Sequence, residues 1–101
     1  MNMQAMMKQV QKLQKDMTKT QEEINNSEFI GKSSLVTIVL DGTKKVKSVK
    51  INGDDLQTDD LEMLEDMIMI AFNDAINQID KTTEEKMGAY TKGMPNIPGL
   101  F

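Results

Sequence analysis

The sequence predicts an α+β fold: a long N-terminal helix, a three-stranded antiparallel sheet and a long C-terminal helix, in one domain spanning residues 1–101. Three observations predict it. The first quarter repeats apolar residues at alternating steps of three and four. The second is dense in β-branched residues around an Asp-Gly turn. After residue 58 the apolar residues return at helical spacing.

In the first element, Met3, Met6, Val10, Leu13, Met17 and Ile24 form a seam that only Thr20 interrupts. Residues 3–25 read as a helix of roughly 35 Å at ~1.5 Å per residue. The flanking positions (Met7, Gln9, Gln14, Asp16, Gln21, Glu23) lack the Glu/Lys pattern of a zipper. The seam is therefore expected to pack on a sheet or another helix. On the opposite face Lys8, Lys12, Lys15 and Lys19 step by 4, 3 and 4. Residues at those separations share one side of a helix. Asn25, Asn26 and Ser27 end the element, so the helical region is drawn at 1–27.

The sheet is assigned to 28–52, with strands at 28–32, 35–40 and 46–51 and a hairpin opened by Asp41-Gly42. In the central strand Leu35, Thr37 and Val39 face one way and Val36, Ile38 and Leu40 the other, so both faces are largely apolar. Two helices in so small a chain cover both faces poorly, whereas a dimer does so easily. Thr58 or Asp59 is expected to cap the second helix, drawn at 58–87, with Gly88 as its stop. Its stripe is Leu61, Leu64, Ile68, Phe72, Ala75 and Ile79, and Met63, Met67 and Ile70 add a second apolar side. Residues 88–101, with Gly93, Pro95, Pro98 and Gly99, read as a flexible tail.

Composition narrows the chemistry. The chain has ten methionines, four aromatic residues, and neither cysteine nor histidine. That removes disulfides, Ser-His-Asp and Cys-His catalysis and the usual zinc sites. Gly31-Lys32-Ser33 imitates the end of a phosphate loop, but Asn26 stands where the earlier glycine is required. Asp54, Asp55, Asp59, Asp60, Glu62, Glu65 and Asp66 read as carboxylates complementing a helix N-terminus, without the calcium-loop spacing. No metal, cofactor, small-molecule substrate or enzymatic activity is expected. No signal peptide or membrane-spanning run is read, which points to a cytoplasmic protein.

Charge is segregated. The net is −4, yet residues 1–50 hold nine lysines against five acids and residues 51–101 three against eleven. Every basic residue is lysine, a point charge rather than a bidentate reader of bases. Lys8 to Lys19 spans roughly 16 Å of helix axis, about five phosphate steps of one DNA strand at ~3.4 Å each. A row of this kind also occurs on plain solvated helix faces.

The chain resembles the YbaB/EbfC family of bacterial nucleoid-associated proteins. The segments that carry the resemblance are Met7-Lys8-Gln9-Val10-Gln11-Lys12-Leu13-Gln14-Lys15-Asp16-Met17, Gln21-Glu22-Glu23, Glu62-Met63-Leu64-Glu65-Asp66, Ala71-Phe72-Asn73-Asp74-Ala75, Lys86-Met87-Gly88, Thr91-Lys92-Gly93-Met94 and Ile97-Pro98-Gly99-Leu100-Phe101. The resemblance implies an α-β-β-β-α fold in an intertwined homodimer. It also implies binding of double-stranded DNA, a place at the nucleoid, and a role in chromosome organisation or gene regulation. On it, Lys8, Lys12, Lys15 and Lys19, with Lys81, Lys86 and Lys92 toward the far end, become candidate DNA contacts. Met6, Val10, Leu13, Met17, Leu64, Ile68 and Phe72 become candidate dimer-interface or core positions. The competing expectation is an acidic, methionine-rich protein-protein adaptor that binds no nucleic acid.

Overall fold

In a computed structural model of the chain, residues 2–54 and 56–92 are described. The order is α1 (Met3–Asn25), β1 (Glu28–Ser33), β2 (Val36–Asp41), β3 (Val46–Ile51), a 3-10 turn (Thr58–Asp60) and α2 (Leu61–Lys92). The strands form an antiparallel sheet in the order β1-β2-β3. The α+β class and the element order are those read from the sequence. No helix is long and apolar enough to cross a membrane among the described residues.

α2 is the spine. Its first half covers the sheet, and its second half runs antiparallel to α1. The apolar residues that alternate inward from β2, Val36, Ile38 and Leu40, are buried with Phe29, Ile24, Ala71, Ala75 and Ile79. Antiparallel pairing puts Gly31 opposite Ile38 and thus on the same face. A Cβ on Gly31 would lie 1.9 Å from the Ala71 carbonyl oxygen and 2.7 Å from the Ala75 nitrogen. The strand and helix backbones approach so closely because all three residues are small. Gly31 is therefore a packing residue and not part of a phosphate loop.

The free backbone groups of the β1 edge are also met by α2. Gln78 Nε2 donates to the Ile30 carbonyl at 2.8 Å, and the Lys32 N–H donates to Asp74 Oδ2 at 3.1 Å. The other face of β2 has only half-buried Thr37 and Val39, so one chain covers one side of its sheet, while Leu35, expected to share that face, precedes the strand and lines a cleft with Leu56, Asp60 and Met63. β3, at the opposite edge from β1, is exposed throughout.

α2 departs from the sequence reading at both ends. It is entered through the 3-10 turn, where the Gln57 N–H donates to Asp60 Oδ2 at 3.0 Å, so neither Thr58 nor Asp59 is the cap. Gly88 does not stop the helix, which continues to Lys92. A mid-helix glycine costs about 1 kcal/mol relative to alanine. Here the next turn gains a tertiary anchor, because the Tyr90 hydroxyl bonds to Thr20 Oγ1 at 2.7 Å. The expected tail is thus helical as far as residue 92, and its remainder lies outside the described residues.

Two stability measurements check this packing. Gly31→Ala is expected to lower unfolding free energy by about 3 kcal/mol, the upper end for overpacking. Gly88→Ala is expected to raise it by about 0.5–1 kcal/mol, because a Cβ there meets nothing within 4 Å. Urea denaturation of the two variants should move in opposite directions.

Candidate nucleic-acid interface

α1 begins with a real cap: Asn2 Oδ1 accepts from the Gln4 N–H at 3.1 Å. From there Leu13, Met17, Thr20 and Ile24 turn toward α2 and are half-buried or buried. Lys8, Lys12, Lys15 and Lys19 are all exposed, and at 3.6 residues per turn they fall within an arc of about 60° on the far side. Gln11, Gln14, Thr18 and Glu22 lie among the lysines and complete a shallow polar surface. None of the four ammonium groups forms an ion pair among the described residues, although Asp16 and Glu23 stand one turn from Lys12 and Lys19.

The row is held in place from behind. Besides Thr20, the Tyr90 hydroxyl reaches the Asp16 carbonyl oxygen at 3.4 Å, fixing α1 to the last described turns of α2. At the other end the Gly42 N–H donates to the Asn25 carbonyl at 3.2 Å. A Cβ on Gly42 would sit 2.0 Å from the Ile24 carbonyl oxygen, so the β2–β3 hairpin is seated directly on the last turn of α1.

The other sequence candidates are scattered. Lys81 and Lys86 are exposed on α2, but five residues of helix separate them by about 140° and they form no common row. Lys92 belongs to α2, and its side chain lies outside the described residues. Of the apolar candidates, Met6 and Val10 are 48% and 50% exposed, while Leu13, Met17, Leu64, Ile68 and Phe72 are half-buried. The buried centre uses Ala71 and Ala75 instead. With Met3 and Met7, Met6 and Val10 leave the free end of α1 apolar on one side.

Sequence reasoning missed a second basic group. Lys44, Lys45, Lys47 and Lys50 lie on the hairpin and β3, and all are exposed. The signal was present: residues 42–53 contain four lysines and no carboxylate. Asp41, just before them, is committed to the turn. It accepts from the Thr43 hydroxyl, from the Thr43 N–H at 2.8 Å and from the Lys45 N–H at 3.1 Å. The Thr43 hydroxyl bond is the main reason its carboxyl is held below the ordinary aspartate range, with help from the backbone donors and the Lys47 charge. Lys44 pairs with Asp80 at 3.1 Å between two exposed side chains.

The acidic residues Asp54, Asp59, Asp60, Glu62, Glu65 and Asp66 spread over the approach to α2 and its first turns. Among the described residues no three carboxylates are gathered as metal ligands.

Fold and surface together define the class: an α+β protein that displays a row of exposed lysines along one helix face. The comparisons give that class a family. Residues 1–94 match the model of the YbaB/EbfC DNA-binding family. A nucleoid-associated protein of Lactococcus lactis subsp. cremoris is 54% identical over 97 residues, covering 94% of this chain and 98% of the relative. One from Enterococcus faecalis is 49% identical, covering 95% and 94%. One from Ligilactobacillus salivarius is 45% identical, covering 99% and 95%. The crystal structure of an uncharacterised Helicobacter pylori protein shares the fold, with a TM-score of 0.68 at 19% identity over 93% of this chain and 99% of that one. The chain belongs to the YbaB/EbfC DNA-binding family, a family of nucleoid-associated proteins and not of enzymes.

The turn that seats the hairpin is open to titration. Because the Asp41 carboxyl is depressed in the folded protein, its contribution is complete above the unfolded value of ~3.9 and is lost as pH falls through the folded value. Thr43→Val is expected to bring the Asp41 pKa back toward the ordinary range, as read by carbon-detected NMR titration. An unchanged titration midpoint would mean the hydroxyl bond is not the cause.

Proposed function

We propose that the protein binds double-stranded DNA at the nucleoid as a homodimer. Lys8, Lys12, Lys15 and Lys19 of each α1 neutralise backbone phosphates, in the service of chromosome organisation or gene regulation. The observation that carries the reading is the row itself: four exposed ammonium groups on one helix face, without ion pairs among the described residues, in a DNA-binding family. Cations placed against phosphates release condensed counterions, the main source of sequence-independent affinity. A surface built from lysine and lacking arginine favours backbone contact over base readout.

The homodimer is supported by what one chain leaves uncovered. The second face of β2 is only half-buried, and Met3, Met6, Met7 and Val10 are exposed on an otherwise packed seam. A second copy is the occupant this reading assigns to them. The nucleoid is the location that the relatives' names suggest.

Two experiments test the reading. In fluorescence anisotropy with unrelated duplexes, log K should fall against log salt with a slope of about −4 to −7, for four to eight phosphates at ~0.9 each. Replacing Lys8, Lys12, Lys15 and Lys19 together by Gln should weaken binding and flatten that slope; an unaltered titration would remove the row from the site. Val10→Asp tests the dimer. Val10 is half exposed in the single chain, so a charge there is tolerated unless a partner covers it. Sedimentation should show the variant as a folded monomer, and a parent-like dimer would exclude the seam as interface.

A further inference from the structure

One part of the sheet is left uncovered on the side of α2 itself. Antiparallel pairing sets Val46 beside Leu40, Val49 beside Ile38 and Ile51 beside Val36. Cross-strand partners share a face, so the three β3 residues continue the face that α2 covers. Their partners are at most 2% exposed, whereas Val46, Val49 and Ile51 are 45%, 51% and 40% exposed. The cause is the position of α2. Its close approach to Gly31 seats it on β1 and β2, and β3 lies to one side.

The flank of α2 above β3 is apolar as well. Asp74 and Gln78 mark the flank turned to the β1 edge, and Asp80, paired with Lys44 of the β2–β3 hairpin, marks the opposite one. Counting back from Asp80 by steps of four, four, three, four and four reaches Ile76, Phe72, Met69, Glu65 and Leu61. Residues at such steps share one side of a helix. Phe72 and Ile76 are half-buried, while Met69 and Leu61 are exposed. A trough results, with Val46, Val49 and Ile51 as its floor and this stripe as its wall. Single exposed apolar side chains are ordinary on a protein surface, but a strip shared by two elements of one core marks a contact.

Charge on either side of the trough identifies the occupant as a second copy of the chain. Residues 42–53, which include the floor, hold four lysines and no carboxylate; residues 54–66, which lead into the wall, hold seven carboxylates and no lysine. Lys45, Lys47, Glu62 and Glu65 are exposed and form no ion pair among the described residues. In a two-fold dimer the same patch meets itself, and every contact is made twice. The basic strand of each copy then faces the acidic start of the other copy's α2, and the apolar trough closes between them. We propose that the two chains of the homodimer meet in this trough, β3 of each against the start of α2 of the other. This rests on the homodimer reading and adds a surface which that reading does not use. β3 is also the open edge of the sheet, so a copy seated there borders both of its faces.

Sedimentation velocity reads the assembly, and circular dichroism the fold, of each variant. The parent should be a dimer. Val49→Asp should stay folded, since the side chain is half exposed in one chain. It should dimerise at least about tenfold more weakly, because the second copy would bury the charge unpaired. Charge reversal tests the pairing. Lys45→Glu with Lys47→Glu, and separately Glu62→Lys with Glu65→Lys, set like charges together and should each weaken the dimer at least about tenfold. An equimolar mixture of the two reversed proteins should recover the parent's affinity, because both contacts of the mixed dimer again join opposite charges.

Should Val49→Asp fail to fold, Met69→Lys on the exposed wall carries the same test. Either variant, folded and with the parent's affinity, overturns the proposal; beside a monomeric Val10→Asp protein it leaves the dimer on the α1 seam. Reversed proteins that each dimerise like the parent, or whose mixture recovers nothing, overturn it too. A monomeric parent defeats the homodimer reading and this inference with it.

Discussion

The close approach of β1 to α2 is the constraint on which the rest of the molecule depends. Gly31, Ala71 and Ala75 let a strand backbone and a helix backbone meet with no side chain between them. That contact sets the height of α2 over the sheet, so that Val36, Ile38 and Leu40 reach their cover. It also brings Asp74 and Gln78 to the unpaired groups of the β1 edge. Once the first half of α2 is fixed, its direction fixes the second half, and the second half is where α1 is anchored. The direction in which α1 presents its lysines is thus set by an alanine pair on another element.

The molecule that results is long and thin, 71 × 21 × 17 Å with a radius of gyration of 19.7 Å. A compact chain of this length would have a radius near 13 Å. Elongation trades core for surface: eight residues form the buried apolar cluster among those described, and α1 buries only Ile24 fully. Such a shape suits a protein that displays a charged rod rather than a pocket. It also explains the polar fastening of α1. Where little apolar area is available, Thr20, Tyr90 and the Asp16 carbonyl supply directional bonds that a seam of flexible methionines does not.

Much of this was legible in the sequence because it is carried by period. The step of three and four gave α1 to the residue, and β-branched alternation with Asp-Gly gave β2, β3 and the turn between them. What period does not carry was missed. Gly88 has the composition of a stop, and the tertiary contacts on either side of it, Met87 against the core and Tyr90 on Thr20, seventy positions away in sequence, are not carried by period. Ala71 gives little core signal because small residues score weakly in any apolar pattern, although closeness of backbones is what they provide. Leu64, Ile68 and Phe72 have the right phase but sit at the flanks of the contact and remain half-buried. The β3 lysines were legible as charge, but reading that segment as a strand left their side chains out of account. The α1 row was legible in full, since helical spacing alone puts its four members on one face.

The overall negative charge does not oppose a polyanion surface in this geometry. Asp66, the last of the acids that open α2, is thirteen residues before Ile79, about 20 Å of helix axis at ~1.5 Å each. Ile79 shares the core with Ile24, at the end of α1 nearest the sheet, and the lysines lie farther along α1 still. Screening at physiological salt has a length of about 8 Å. Carboxylates more than two such lengths away contribute little to the potential at Lys12 or Lys15. Glu84 and Glu85 stand nearer, interleaved with Lys81 and Lys86. Net charge therefore describes solubility and long-range repulsion at low salt, while the local field along α1 and β3 follows from which side chains lie within a few ångströms. The acids that open α2 are thus remote from the α1 row, and the carboxylates that bear on it are Asp16, Glu22 and Glu23 of α1 itself.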